Sequence, residues 1–321
     1  MVHGQPAFLC QGELERSYLI ALLPGAGLVR NPCSPNHLSL PHPFVLFAHP
    51  QRQVAIEQQQ PLNSSIDSAV DYLFIVNGDS QQMDDLRALA HRHTNVRVFQ
   101  RPNSCYDGGS IGEVLRAHPD LSHAYAFFVF INSSVRGPFF PRYFQRRPWT
   151  QAFTALLTDD VKLVGTTISC EISVHVQSMV LAMDRVGLDT IAAAGALKCP
   201  LSLGEAVASY ELGSSAAILD AGFNIDSLMI RYRGIDWRHN RDLRCNAQQN
   251  PQKDGMNDGL ALDPFEVLFV KAKASLQVPA IIAFLSRYTK YYLRWPGAGG
   301  EARVDLEANT LFDDNNSSRP G

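Results

Sequence analysis

Several patterns are missing from this 321-residue chain. There is no Cys-x-x-Cys pair, no Asp-x-Asp, no Gly-x-Gly-x-x-Gly after the first apolar strand and no block of like charge. Six cysteines (Cys10, Cys33, Cys105, Cys170, Cys199 and Cys245) stand far apart, which argues against a zinc site or a disulfide framework and leaves free buried thiols as the expectation. No apolar run reaches the roughly 18 residues needed to span a bilayer. The stretch Tyr18 to Val29 is broken by Pro24, Gly25 and Gly27 and follows two glutamates, so it is a poor signal peptide. The chain reads as soluble, and a Golgi or secretory location would require an N-terminal anchor missing from the gene model. A net charge of -3 without clustered Lys and Arg gives no footprint for nucleic acid. The missing glycine fingerprint disfavours an NAD-dependent oxidoreductase.

What is present is ordinary globular material, 45% hydrophobic and 18% charged, enough for a sizeable core. Residues 1–43 are rich in Pro, Gly and Asn and read as an irregular segment. Phe44 to Ala48 is a short buried-strand candidate, and the Gln-rich stretch to Ser65 reads as linker. "DYLFIV" from Asp71, a helical pattern from Gln81 to His93 and "NVRVF" from Asn95 to Phe99 form a strand–helix–strand unit, which implies a parallel sheet. Tyr125 to Ile131 and Val161 to Thr166 are further strands, joined through a helix over Trp149 to Leu157. Ser202 and Glu205 form a capping box that opens a helix ending at Gly222, with Val207, Tyr210, Ser214 and Ile218 on one stripe. "SLMIRY" (Ser227 to Tyr232) reads as a strand and Asp263 to Leu276 as a helix. Residues 277–321 read as a C-terminal helical segment and a disordered tail. The fold class is α/β, a mostly parallel sheet with helices on both faces. Ligands in such folds bind beyond the carboxyl ends of the strands.

Four constellations fall at such ends. "RPNSCYDGGSIGEV" (Arg101 to Val114) offers adjacent glycines, Gly108 and Gly109, for close backbone approach and a helix start for an anion; its plain alternative is a turn capped by Asp107. Asn132, Ser133 and Ser134 end the strand "FFVFI" with groups able to hydrogen-bond a diphosphate or sugar, or merely to make a polar turn. His175 and Gln177, if extended, share a face and suit a sugar hydroxyl or phosphate, or pack as satisfied structural groups. Glu211 sits among small neighbours within a helix. A carboxylate there that faced a cleft would suit a general base, whereas the commoner outcome is a solvated helical glutamate.

Quoted in order, "DYLFIVNG", "RPNSCYDGGS", "FFVFINSSVRGPFFP", "VKLVGTTISCE", "HVQSMVLAMDRVGL", "YELGSSAAILDAGFNIDSLMIRYRGIDW" and "LDPFEVLFVKAK" resemble a family of predicted nucleotide-diphospho-sugar transferases from plants and algae. That family is related to rhamnan synthesis protein F and to GT-A-type glycosyltransferases. The resemblance covers about residues 43–276 and implies a GT-A-like (Rossmann-like) domain over 44–276. It implies a nucleotide-sugar donor and a glycan acceptor as partners, and transfer to a carbohydrate hydroxyl, with inversion if Glu211 is the base. Donor contacts would come from Asn103, Tyr106, Asp107, Gly109, Asn132, Ser133, Ser134, His175 and Gln177. Asn132 to Ser134 stand where metal-dependent relatives carry Asp-x-Asp, so the sequence assigns no metal ligand and disfavours Mn or Mg. Arg136, Lys162, helix N-termini or His175 would then stabilise the leaving diphosphate. The competing expectation is a catalytically inactive carbohydrate- or nucleotide-binding protein that retains the fold. Only Ile172, Ser173 and Val174 separate "SCE" from "HVQS", shorter than in relatives.

Overall fold

The computed structural model describes residues 44–49, 70–80, 83–139, 148–257 and 259–271; for 44–49 it describes the backbone. The irregular N-terminal segment, the linker, residues 272–276 and the C-terminal tail lie outside the described residues.

Continuous apolar runs make the central strands, as burial on both faces requires. Strands β1 (Phe44–His49), β2 (Asp71–Asn77), β3 (Val96–Arg101) and β4 (Phe127–Asn132) lie side by side and parallel in the order β4-β1-β2-β3. Helix α1 (Met83–Arg92) joins β2 to β3, and α2 (Tyr106–Ala117) with α3 (Pro119–Ala124) joins β3 to β4. The first crossover steps outward and the second steps back across the sheet. Right-handed connections therefore put α1 and α2 on opposite faces, with a switch point between β1 and β4.

The short β5 (Val135–Arg136) follows β4, and α4 (Gln151–Thr154) precedes β6 (Val161–Gly165). A tight hairpin of β7 (Ile168–Ser169) and β8 (His175–Val176) then leads into β9 (Val180–Asp184). β9 lies between β4 and β6 and runs antiparallel to both. Helix α5 (Arg185–Ala193) starts where the Asp184 carboxylate accepts from Gly187 N at 2.9 Å. Next come α6 (Leu203–Ala206), a π-helical turn (Val207–Leu212), α7 (Gly213–Asp220) and β10 (Asn224–Ser227), which pairs parallel with β6 to complete a seven-stranded sheet. The core centres on Tyr72 to Val76, Phe128 to Ile131, Leu163, Val164 and Val180 to Met183, all essentially inaccessible.

The structure corrects several expectations. Extended pairing covers Asn224–Ser227 rather than Ser227 to Tyr232, and Ile230–Tyr232 is a 3₁₀ turn. The apolar run there signals burial, with Tyr232 edge-on to Trp237 at 5.7 Å, rather than strand pairing. Within the described part of Asp263 to Leu276, the helix covers only α8 (Pro264–Val267), because Leu268 turns left-handed at φ 59. Phe269 and Val270 then bury in a ribbon where β11 (Val270–Lys271) pairs antiparallel with β5. The helix over Trp149 to Leu157 is regular only across α4. Four cysteines are not free thiols. Cys105–Cys199 and Cys170–Cys245 are disulfides that join positions 94 and 75 residues apart, a pairing that spacing along the chain does not reveal.

Candidate functional site

Arg101, the last residue of β3, organises the first wall. Its guanidinium donates to Asn77 Oδ1 at 2.6 Å, Ser110 Oγ at 2.9 Å and the Ser104 carbonyl at 2.9 Å, and pairs with Glu113. The loop from Pro102 to Cys105, with the exposed Asn103, is thereby tied to β2 and to α2. Cys105 occupies the cap position of α2 with φ 70 and makes no side-chain cap bond, so Asp107 lies in the first turn and is not the cap. The disulfide to Cys199 clamps this helix start to the loop after α5. An added Cβ on Gly112 would sit 1.9 Å from the Leu197 carbonyl oxygen, so only glycine permits that close approach.

The second wall is the π-helical turn. Wide turns of this kind recur at functional sites because they re-aim side chains within a helix. Ser202 Oγ accepts from Glu205 N at 3.1 Å, as the capping box requires, while the Glu205 carboxylate accepts from Leu201 N at 2.7 Å. Downstream, Ser215 Oγ accepts from Val176 N at 2.9 Å and docks α7 on the β7–β8 hairpin. Between these anchors Tyr210 is buried, and its ring fills the place where Gly108 lacks a side chain. Burial, followed by the nearby Asp107 and Glu211 carboxylates, holds the Tyr210 phenol well above its ordinary pKa. It therefore stays neutral.

Glu211, with a side chain 25% exposed, places Oε1 3.8 Å from His175 Nε2. His175 Nδ1 lies 2.8 Å from the Ser173 carbonyl, which must accept, so Nδ1 carries a proton and Nε2 faces the carboxylate. The five-residue connection in the hairpin, Cys170 to Val174, with Ile172 at φ 74, sets this arrangement. Gln177 also lies on the rim but is engaged at both ends. Its oxygen accepts from Thr167 Oγ1 at 2.8 Å, and its nitrogen donates to Asn250 Oδ1 at 3.2 Å.

Asp107 and Glu211 line one cleft together with Tyr106, Gly109, Ser178 and Lys198. Asn132, Ser133 and Ser134 stand at the carboxyl end of β4, on the same rim but outside that lining. The Asn132 side-chain oxygen accepts from Ser134 N at 3.0 Å and from Ser134 Oγ at 2.5 Å, which closes a polar turn. That turn offers no carboxylate and its amide oxygen is already bonded, so it does not fit a divalent cation. Lys162 is far from this rim. It sits near the amino end of β6 and pairs with Asp184 at 2.6 Å, so it cannot meet a leaving diphosphate. Arg136 belongs to β5, beside the rim, where burial lowers its pKa.

Tyr210 as the wedge between the walls, Lys198, Ser178 and the clamp at Cys105 were not legible as site residues. The adjacent glycines of α2 signal close packing but do not identify the partner.

No protein-family model matches the chain, and no curated protein does. Among solved structures it is similar to a glycosyltransferase involved in the glycosylation of the major capsid of PBCV-1, at 10% identity and TM-score 0.37, over 77% of this chain and 98% of that one. It is similar to the glycosyltransferase GlyE of Streptococcus pneumoniae TIGR4, at 9% identity and TM-score 0.39, over 80% of this chain and 65% of that one. A third similar structure is glucosyl-3-phosphoglycerate synthase from Mycobacterium tuberculosis in complex with Mg2+ and uridine-diphosphate, at 18% identity and TM-score 0.29. The match to it spans 46% of this chain and 58% of that one.

Proposed function

We propose that the cleft is the active centre of a glycosyltransferase that moves a sugar from a nucleotide-diphospho-sugar to a hydroxyl acceptor. The observation that carries this reading is that Asp107 and Glu211, from distant segments, line one cleft at the carboxyl rim of the sheet, with His175 against Glu211. Glu211 takes the acceptor proton. The acceptor oxygen then bonds to the anomeric carbon as the bond to the diphosphate oxygen breaks, and attack from the opposite side inverts the centre. Asp107 holds the donor from the start of α2, with Asn103, Tyr106 and Gly109 beside it and Asn132 to Ser134 along the rim. His175, in the form protonated at both ring nitrogens, orients Glu211 and meets developing charge. Two disulfides among the described residues favour an oxidising compartment, which supports a secretory location.

Calorimetric titration of UDP and GDP, with and without manganese, followed by assays of donor hydrolysis and transfer, tests the reading. Glu211→Gln should keep nucleotide affinity and lose turnover by roughly 10²- to 10⁴-fold, the usual contribution of a general base. Full turnover in that variant removes the role. A second reading, a non-catalytic nucleotide- or carbohydrate-binding protein, is favoured by the closed Asn132–Ser134 turn. Nucleotide binding with no turnover under any condition would select it.

A further inference from the structure

At the mouth of the cleft, exposed apolar side chains are held in place. Leu201 is 94% exposed, Leu203 64% and Tyr106 45%, and both Leu203 and Tyr106 line the cleft. A leucine just before a helix cap usually packs on the residue five positions later and shields it. Here that residue is Ala206 and the leucine stands in solvent, so helix capping does not account for Leu201. Its backbone is fixed nonetheless: Leu201 N donates to the Glu205 carboxylate at 2.7 Å, and Cys199, two residues earlier, is bonded to Cys105. Pro200, Ala206 and Val207 continue the same apolar wall towards Glu211. Clustered exposed apolar groups beside a cleft mark a binding surface.

Resting on the transfer reading, we propose that Leu201 and Leu203 form an acceptor subsite for an apolar group, so that the acceptor carries an alkyl or aryl aglycone rather than being a bare sugar. The position decides between donor and acceptor. This wall belongs to the segment that supplies Glu211, so a molecule lying on it has its hydroxyl at the base. A bare polyol would find no hydroxyl or amide side chain at Leu201 or Leu203 to replace its water. An aglycone buries its apolar surface there.

The test measures dissociation constants for methyl, p-nitrophenyl and octyl β-glucopyranosides by saturation-transfer NMR, on the intact chain with its disulfides. At least one apolar glycoside should bind tenfold or more tighter than the methyl glycoside, equivalent to about 1.4 kcal/mol. The p-nitrophenyl and octyl arms distinguish an aryl from an alkyl group. In Leu201→Ser/Leu203→Ser the preference should vanish while the melting temperature of the unliganded protein holds. Equal affinities, a preference that survives in the variant, or no binding of either apolar glycoside would overturn the proposal. So would leucine-dependent sedimentation with phosphatidylcholine vesicles, which would reassign the lip to a membrane surface. Because the readout is binding alone, loss of the transfer reading through missing nucleotide binding would leave the glycoside ranking intact.

Discussion

Replacing Gly108 by alanine would put a methyl group 2.5 Å from Cδ2 and Cγ of Tyr210 and 3.1 Å from the Ala196 carbonyl oxygen. Two terms oppose each other. Alanine in place of glycine within a helix gains about 1 kcal/mol of propensity. Forcing a methyl into a filled space costs about 1–3 kcal/mol. The expected net loss for Gly108→Ala is therefore roughly 0–2 kcal/mol. Tyr210→Ala alone removes a buried aromatic ring and should cost about 3–5 kcal/mol. In the double variant the methyl enters the space the ring has vacated, the overpacking disappears and only the propensity gain is left. The double should therefore lose at least about 1 kcal/mol less than the sum of the singles. Urea unfolding with linear extrapolation measures all four corners. Additivity within about 0.5 kcal/mol would refute the contact. Since Asp107 and Gly109, placed beside the donor, flank this position in the cleft wall, Gly108→Ala should also weaken nucleotide binding more than its stability loss suggests.

The Cys105–Cys199 bond closes a loop with a sequence separation of 94. Replacing both cysteines by serine should cost about 4–5 kcal/mol by chain entropy, read as a lower unfolding midpoint. Thiol titration of the unfolded, unreduced protein should find neither cysteine, and two reactive thiols there would reject the bond. Burial raises the pKa of Asp226 against the opposing effects of the Ser227 N–H and Arg233. Its folded pKa thus lies above its unfolded one, so its contribution to stability is full below the unfolded value and is lost as pH rises through the folded value. Asp226→Asn should therefore raise the melting temperature at neutral pH and change little below about pH 4. The same gain at both pH values would show that charge is not the cause.

How far the chain could be read depended on the kind of force involved. Strands β2 and β4 announce themselves as apolar runs because burial on both faces demands them. The box at Ser202 and Glu205 is equally plain, because a cap is a local bond. The end at Gly222 is legible for a related reason: φ there is +86. Failures came where distant parts decide. Asp263 to Leu276 carries apolar spacing compatible with a helix, yet pairing with β5 pulls Val270 into an extended ribbon. Cys105 and Cys199 show no spacing rule because their meeting depends on α2 packing against the loop after α5. Lys162 looked available for an anion until the register placed it at the far rim beside Asp184. Tyr210 reads as one more core residue on a stripe, and only the fold sets it against Gly108.

The wide turn at Val207–Leu212 accommodates one residue more than an α-helical turn would, and so sets two orientations within one continuous helix. Ahead of it the register is fixed by the cap at Ser202; behind it Ser215 and Ile218 are locked to the sheet. Removing a single residue from the bulge would let the segment relax to 3.6 residues per turn and swing Glu211 by about 100° about the axis. The helix would survive such a shortening with its caps and core contacts in place, but its carboxylate would be aimed elsewhere. If Glu211 is the base, length polymorphism at this one turn is a structural route from an acting protein to a silent one of the same shape.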